Sequence, residues 1–142
     1  MSPEEFLALG EELVERNTPA CRRTAISRAY YSVFNAVGQL MRDSGLQITE
    51  GSAEHGKVWQ DLLNCGITEV VKAGSQLGAL HGMRIKADYK MQIQQPEEYK
   101  TAKFWVAEAR RHLEAVNRQF SDSVSRGQAV EAIREYRRKI GR

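Results

Sequence analysis

Membrane-length apolar runs, zinc-type cysteine and histidine spacings, and glycine-rich phosphate loops are all missing from this 142-residue chain. The first absence excludes a membrane span, and the opening stretch, MSPEEFLALGEELVERN, is acidic and amphipathic rather than signal-like. A cytoplasmic protein is the expectation. Cysteine is scarce: Cys21 and Cys65 sit among helical apolar residues and read as reduced, half-buried thiols. No helix carries two histidines four apart with a glutamate between them, and His55, His81 and His112 are scattered, each reading as a surface or seam residue. Nothing in the sequence asks for a metal or cofactor, so any catalysis has to be assembled across helices or across subunits. Alternating strand patterns, internal repeats and low-complexity segments are absent too.

What is present is ordinary for a folded soluble domain: 42% hydrophobic and 27% charged residues, enough for one sizeable core. The charge is unevenly placed. From Ser125 to Arg142 six basic residues face two acidic ones, while the preceding body is nearly neutral. Such a segment can attract phosphate backbones or an acidic partner, or it can be a solvated helix end whose cations complement the macrodipole. The expected organisation is a helical domain over 1–125 and a basic amphipathic helix or tail over 126–142.

Nearly every periodic segment is helical. Ser2, Pro3 and Glu5 have the spacing of a capping box with proline at the first helical position, and Phe6, Leu9 and Leu13 form the apolar side that follows. Thr18 and Pro19 open a long second helix reaching about Asp43, with Gly45 as its stop. Its wide apolar stripe (Ile26, Tyr30, Val33, Phe34, Val37, Leu40 and Met41) lies beside a strip of small residues at Ala25, Ala29, Ser32 and Ala36. That circumference suits the central helix of a bundle.

The stretch QITEGSAEHG reads as a loop, followed by a helix from roughly Ala53 to Leu63 and another from about Thr68 to Tyr89. Gly74, Gly78 and Gly82 weaken the latter by up to about 1 kcal/mol each, which close helix contact along their shared strip can offset. A further long helix spans about Pro96 to Phe120, with Tyr99, Phe104, Val106, Leu113, Val116 and Phe120 as its buried positions. After the break SDSVSRG, a short amphipathic helix runs from Gln128 to Ile140. Five or six helices with short connections predict an all-α, up-and-down bundle.

One stripe does not fit a plain core. A helix turns about 100° per residue, so Leu77, Leu80, Arg84 and Asp88 fall within roughly 80° of one another, with His81 at the edge. A guanidinium on an apolar stripe is costly unless paired. Either Arg84 and Asp88 satisfy each other at a packing seam, or Arg84 points into a cleft and binds phosphate with Tyr89, His81 or Lys86 nearby.

Two stretches, AISRAYYSVFNAV and MRIKADYKM, together resemble HEPN-domain proteins, in the subgroup with Ser-Arg-Ala-Tyr-Tyr and Arg-x-x-Ala-Asp-Tyr runs. The order of the other segments, including the His55-Gly56 pair between them, is similar over roughly Met1 to Phe120. The resemblance implies an all-α bundle that forms homodimers, with the arginine helices of both copies around one groove. Many members of that family are metal-independent endoribonucleases in toxin–antitoxin or antiviral defence systems, often beside a minimal nucleotidyltransferase antitoxin. Carried onto this chain, Arg84, Asp88 and Tyr89 become the catalytic candidates. Arg84, Lys86, Arg134, Arg137 and Arg138 become the candidates for contacting RNA or nucleotide. The ribonuclease members place a histidine a turn or so after the arginine; here Tyr89 stands at about that place and Asn35 replaces another family histidine. Tyrosine, with a reference pKa near 10, is a poor proton shuttle at neutral pH. The sequence thus leaves open a ribonuclease, a non-catalytic module that partners the nucleotidyltransferase, and a chain whose Tyr89 accepts nucleotides from that partner.

Overall fold

The first helix follows directly from its cap. In the computed structural model, which describes residues 1–48 and 55–142, the backbone N–H of Ser2 donates to the Glu5 carboxylate at 2.6 Å and α1 runs Pro3–Leu13. Its inner face is not the expected one. Leu7 and Val14 are fully buried and Gly10 lies between them, whereas Leu9 is 40% exposed. The cause is the small-residue strip of α2 (Pro19–Asp43): a Cβ on Gly10 would stand 3.0 Å from the Ala25 carbonyl oxygen. Backbone approach of that closeness fixes which side of α1 turns inward.

The Thr18 hydroxyl caps α2 by accepting from the Cys21 N–H at 3.2 Å, and Gly45 ends the turn beyond it with φ +86°. Between those points Ala25, Ile26, Ala29, Tyr30, Val33, Val37 and Met41 are buried, and α2 packs against α1, α4 and α5. It is the central helix.

The third helix, α3, spans His55–Leu63; the expected start at Ala53 lies outside the described residues. It packs on α4 (Thr68–Tyr89) at Gly74, where a Cβ would come within 2.8 Å of both the Leu62 Cβ and the Leu63 nitrogen. Gly78 faces the Trp59 indole at ordinary contact distance, and a Cβ on Gly82 would meet nothing within 4 Å. The glycine strip therefore serves helix contact at two of its three positions.

A 3-10 turn at Gln95–Glu97 leads into α5 (Tyr99–Ser121). Val106, Leu113, Val116 and Phe120 are buried as the periodicity predicts, but Phe104 is 52% exposed and Tyr99 41%. Ala102 and Ala109 take the inner positions instead, letting α5 lie close against α2, while the Tyr99 hydroxyl donates to Glu15 at 2.9 Å. Only Asp122 separates α5 from α6 (Ser123–Lys139), and its carboxylate caps α6 through the Ser125 N–H at 2.8 Å. The last helix thus starts earlier than the sequence suggests. Its Ala129, Val130 and Ile133 join the common core.

Six helices and no strand occur among the described residues, an all-α bundle. None of these helices is long and apolar enough to cross a membrane. Both cysteines are free and partly buried.

Candidate functional site around Arg84

The seam between α2 and α4 holds the charged pair that interrupts the apolar stripe. Arg84 is only 9% exposed. Its Nε donates to Asp88 Oδ2 at 2.9 Å, one turn further along α4, and its Nη2 donates to the Tyr31 hydroxyl at 2.5 Å. Tyr89 closes the far side with its hydroxyl 3.5 Å from Nη2. Three tyrosine rings surround the guanidinium carbon at 4.9 Å (Tyr31), 5.4 Å (Tyr89) and 5.7 Å (Tyr30), distances at which the ring faces attract a cation. Ser27 adds a hydroxyl donor to Asp88 Oδ2 at 3.1 Å. Arg84 Nη1 forms no hydrogen bond among the described residues. Two N–H donors are left for something else.

Two histidines complete the cluster: His81, expected near Arg84 from its place on the same stripe, and His55, which was not expected there. His55, at the start of α3, shares a 2.6 Å hydrogen bond between its Nδ1 and the hydroxyl of fully buried Tyr30, and it stacks on Phe34 with ring centroids 4.1 Å apart. His81, a turn before Arg84 on α4, lies 5.9 Å from the His55 ring and 4.6 Å from the Trp59 ring. Burial holds the His55 imidazole below its ordinary pKa, and the Arg84 charge pushes the same way. His81 is lowered by burial first, then by His55 and Arg84. At neutral pH both rings are therefore neutral and carry a proton-accepting nitrogen. Burial also drives the Tyr30 phenol well above its usual range, so it stays protonated.

Arg23, another residue outside the expected set, anchors the end of α4. It is 7% exposed and donates from Nη1 to the Lys86 and Ala87 carbonyls at 3.0 Å and the Lys90 carbonyl at 3.3 Å. Its Nη2 reaches the Met91 carbonyl at 3.2 Å and also the Ile93 carbonyl. Glu97 neutralises it, with Nη2 at 2.6 Å. Helix C-termini leave their last carbonyls unsatisfied, and here one side chain of α2 gathers them. That bond set fixes the backbone on either side of Asp88 and Tyr89.

Of the predicted site residues, Arg84, Asp88 and Tyr89 meet in one place. Tyr89 is 67% exposed and so offers a ring and a hydroxyl to solvent. Lys86 is on the same helix, but its side chain makes no hydrogen bond or ion pair with the cluster among the described residues. Arg134, Arg137 and Arg138 belong to α6, which packs against α5 and α3 and takes no part in the Arg84 contacts. Arg137 donates to Asp61 at 2.6 Å, Arg138 pairs with Glu131 and Glu135, and Arg134 is exposed. The missed residues do carry a trace in the sequence. Arg23, Ser27, Tyr30, Tyr31 and Phe34 follow helical spacing along one side of α2, the side that meets α4. No family model, no curated protein and no solved structure matches the chain.

Proposed function

We propose that this chain is a HEPN-like domain that binds RNA through Arg84, in a groove completed by a second copy, as part of a toxin–antitoxin or defence pair. The observation that carries the reading is a nearly buried guanidinium with one nitrogen uncommitted, packed in one ring cluster with two neutral imidazoles. Metal-independent RNA cleavage needs these two kinds of group. A base takes the proton of the 2′-hydroxyl, whose oxygen attacks the adjacent phosphorus. The bond to the 5′-oxygen breaks, leaving a 2′,3′-cyclic phosphate, and the departing oxygen takes a proton back. A fixed cation stabilises the phosphorane charge in between, which is the part the Arg84 Nη1 donors suit. When Tyr30 Oη accepts from His55 Nδ1–H, Nε2 of that ring is left as the base. The exposed Tyr89 ring offers a stacking face for a base.

Cleavage of total RNA in the presence of EDTA, lost on Arg84→Ala and reduced on His55→Ala or His81→Ala, is the expected result. If the wild-type protein leaves RNA intact and binds it without a steep dependence on salt, the nucleic-acid reading fails.

A second reading is supported by the same bonds seen from the other side. Arg84 already holds a carboxylate and a phenol, which is enough to make it a seam residue. The chain would then be a non-catalytic HEPN-like module docking a minimal nucleotidyltransferase, with Tyr89, an exposed residue, as a nucleotide acceptor. Incubation with such an enzyme and ATP should then raise the intact mass by whole nucleotide units, and not in Tyr89→Phe.

A further inference from the structure

A separate cleft lies between α4 and α5, and none of its lining residues belongs to the Arg84 cluster. Its volume is about 370 Å³, within the range of small-molecule sites. The short side chains Ala73 on α4 and Ala115 on α5 leave the gap, and Val37, Val70, Val116 and Phe120 give it an apolar lining. One polar side chain of the lining is almost wholly buried. His112 is 5% exposed, and it makes no hydrogen bond among the described residues; the Glu108 carboxylate is 3.8 Å from its Nε2, beyond hydrogen-bond reach.

The ring nitrogens are not sealed from solvent, so a group that enters the cleft can meet them in place of water. At the rim, Lys72, Arg111 and Arg118 are matched by Glu69, Glu108 and Glu114, so the mouth has no net formal charge to draw an ion in. Burial holds the His112 imidazole below its ordinary pKa, with Glu108 opposing and Arg111 and Lys72 assisting. A neutral imidazole presents one donor and one acceptor nitrogen.

We infer that the α4–α5 cleft binds a small, uncharged, largely apolar molecule whose single hydroxyl pairs with the His112 ring. The apolar body is covered by valine and phenylalanine side chains, and the hydroxyl both donates and accepts, as the ring does. The site stands independently of the RNA reading, since it shares no residue with it.

The test uses the full chain, isotope-labelled for NMR, with 2-naphthol as the probe. Saturable movement of the His112 ring signals together with the Val70 and Val116 methyls is expected. Ala73→Trp fills the gap from the α4 side and should abolish that movement while the helical spectrum is kept. The probe 2-methylnaphthalene has the same body without the hydroxyl, and should bind the wild type roughly fivefold more weakly; in His112→Phe the two probes should bind alike. Because His112→Phe can disturb the core, the Ala73→Trp arm decides if that variant does not fold.

The inference is overturned if the His112 signals ignore 2-naphthol, as a cleft holding only water would. It is equally overturned if the filled variant responds like the wild type, or if the two probes bind the wild type equally. His112 signals that move with protein concentration alone would instead assign the cleft to a side chain of a second copy.

Discussion

Two ion-paired carboxylates, Asp61 and Asp88, are used in opposite ways. The Asp61 side chain is 1% exposed, and both its oxygens are taken by α6 or the residues just after it: Arg137 at 3.0 and 2.6 Å on Oδ2, Arg142 at 2.7 Å on Oδ1. The partners are 76 and 81 residues away, so the bond ties α6 to α3 across the fold. Asp88 is 26% exposed and its arginine sits one turn away on the same helix. An ion pair within one helix joins no elements by itself; Tyr31 and Ser27 of α2 do that. The first pair is closed and structural. The second leaves a donor nitrogen and a ring-lined surface, which is what a binding residue needs.

The largest expected effect breaks the closed pair. Asp61→Ala leaves two guanidiniums without their anion. Because Arg137 and Arg142 side chains keep 14% and 29% exposure, they can turn partly to water. The loss should be about 2–4 kcal/mol, at or below the usual range for halving a buried pair. Urea unfolding measures it, and hydrogen exchange should rise first in α6. Arg84→Ala should cost less, about 1–2 kcal/mol, since Asp88 keeps Ser27 and some water while ring contacts are lost. Its distinguishing outcome is functional: under the proposed reading, RNA binding should disappear although the fold persists. Equal stability losses in the two variants would erase the contrast.

Much of this contrast could be read in the chain, and much could not. Capping is local, so Ser2, Thr18 and Gly45 give the ends of α1 and α2 without knowledge of anything distant. The stripe carrying Arg84 and Asp88 was equally legible, because an i, i+4 pair needs only the helix. The inner face of α1 was not, since it depends on Gly10 meeting the Ala25 backbone, a tertiary approach. His81 was legible from the same stripe as Arg84, but His55 was not recognisable as its neighbour. They lie on different helices and come together only because Tyr30 and Phe34 of α2 stand between them and the core. The Asp61 lock was hidden for the same reason: its partners are ordinary members of a basic segment until α6 is placed. The resemblance pointed to a histidine after Arg84 and found tyrosine. The fold supplies imidazoles from elsewhere in the chain.

Acid should sharpen the comparison, because the ring cluster contains groups that resist protonation. His55, His81 and His112 all have pKa values below the ordinary 6.5 in the folded state, burial being the first cause for each. Above pH 6.5 folded and unfolded chains carry neutral imidazoles and nothing is lost. Below it the unfolded chain binds protons that the folded chain refuses, so stability falls as pH drops until the folded-state values are reached. The denaturant midpoint should therefore decline from pH 7.5 to pH 5. A double variant, His55→Gln with His81→Gln, should decline less steeply because only His112 remains. An unchanged slope would mean that neither ring is held neutral.

The smallest effect tests whether the open pair is braced from α2. Ser27→Ala removes the hydroxyl that donates to Asp88 at 3.1 Å and leaves both members of the ion pair in the chain. Ser27 is 4% exposed, so the methyl that remains stays covered and no new cavity of consequence forms. A hydrogen bond to a charged acceptor at the margin of solvent should be worth about 0.5–1.5 kcal/mol. Losing it frees Asp88 to swing toward water, and Arg84 then keeps only Tyr31 as a firm partner. If the pair is a binding device, the variant should weaken RNA binding by more than its stability change alone implies, since the guanidinium is no longer aimed. If the pair is only a seam, the stability change should be all that is seen, and RNA-binding titrations beside urea curves on the same preparation separate the two.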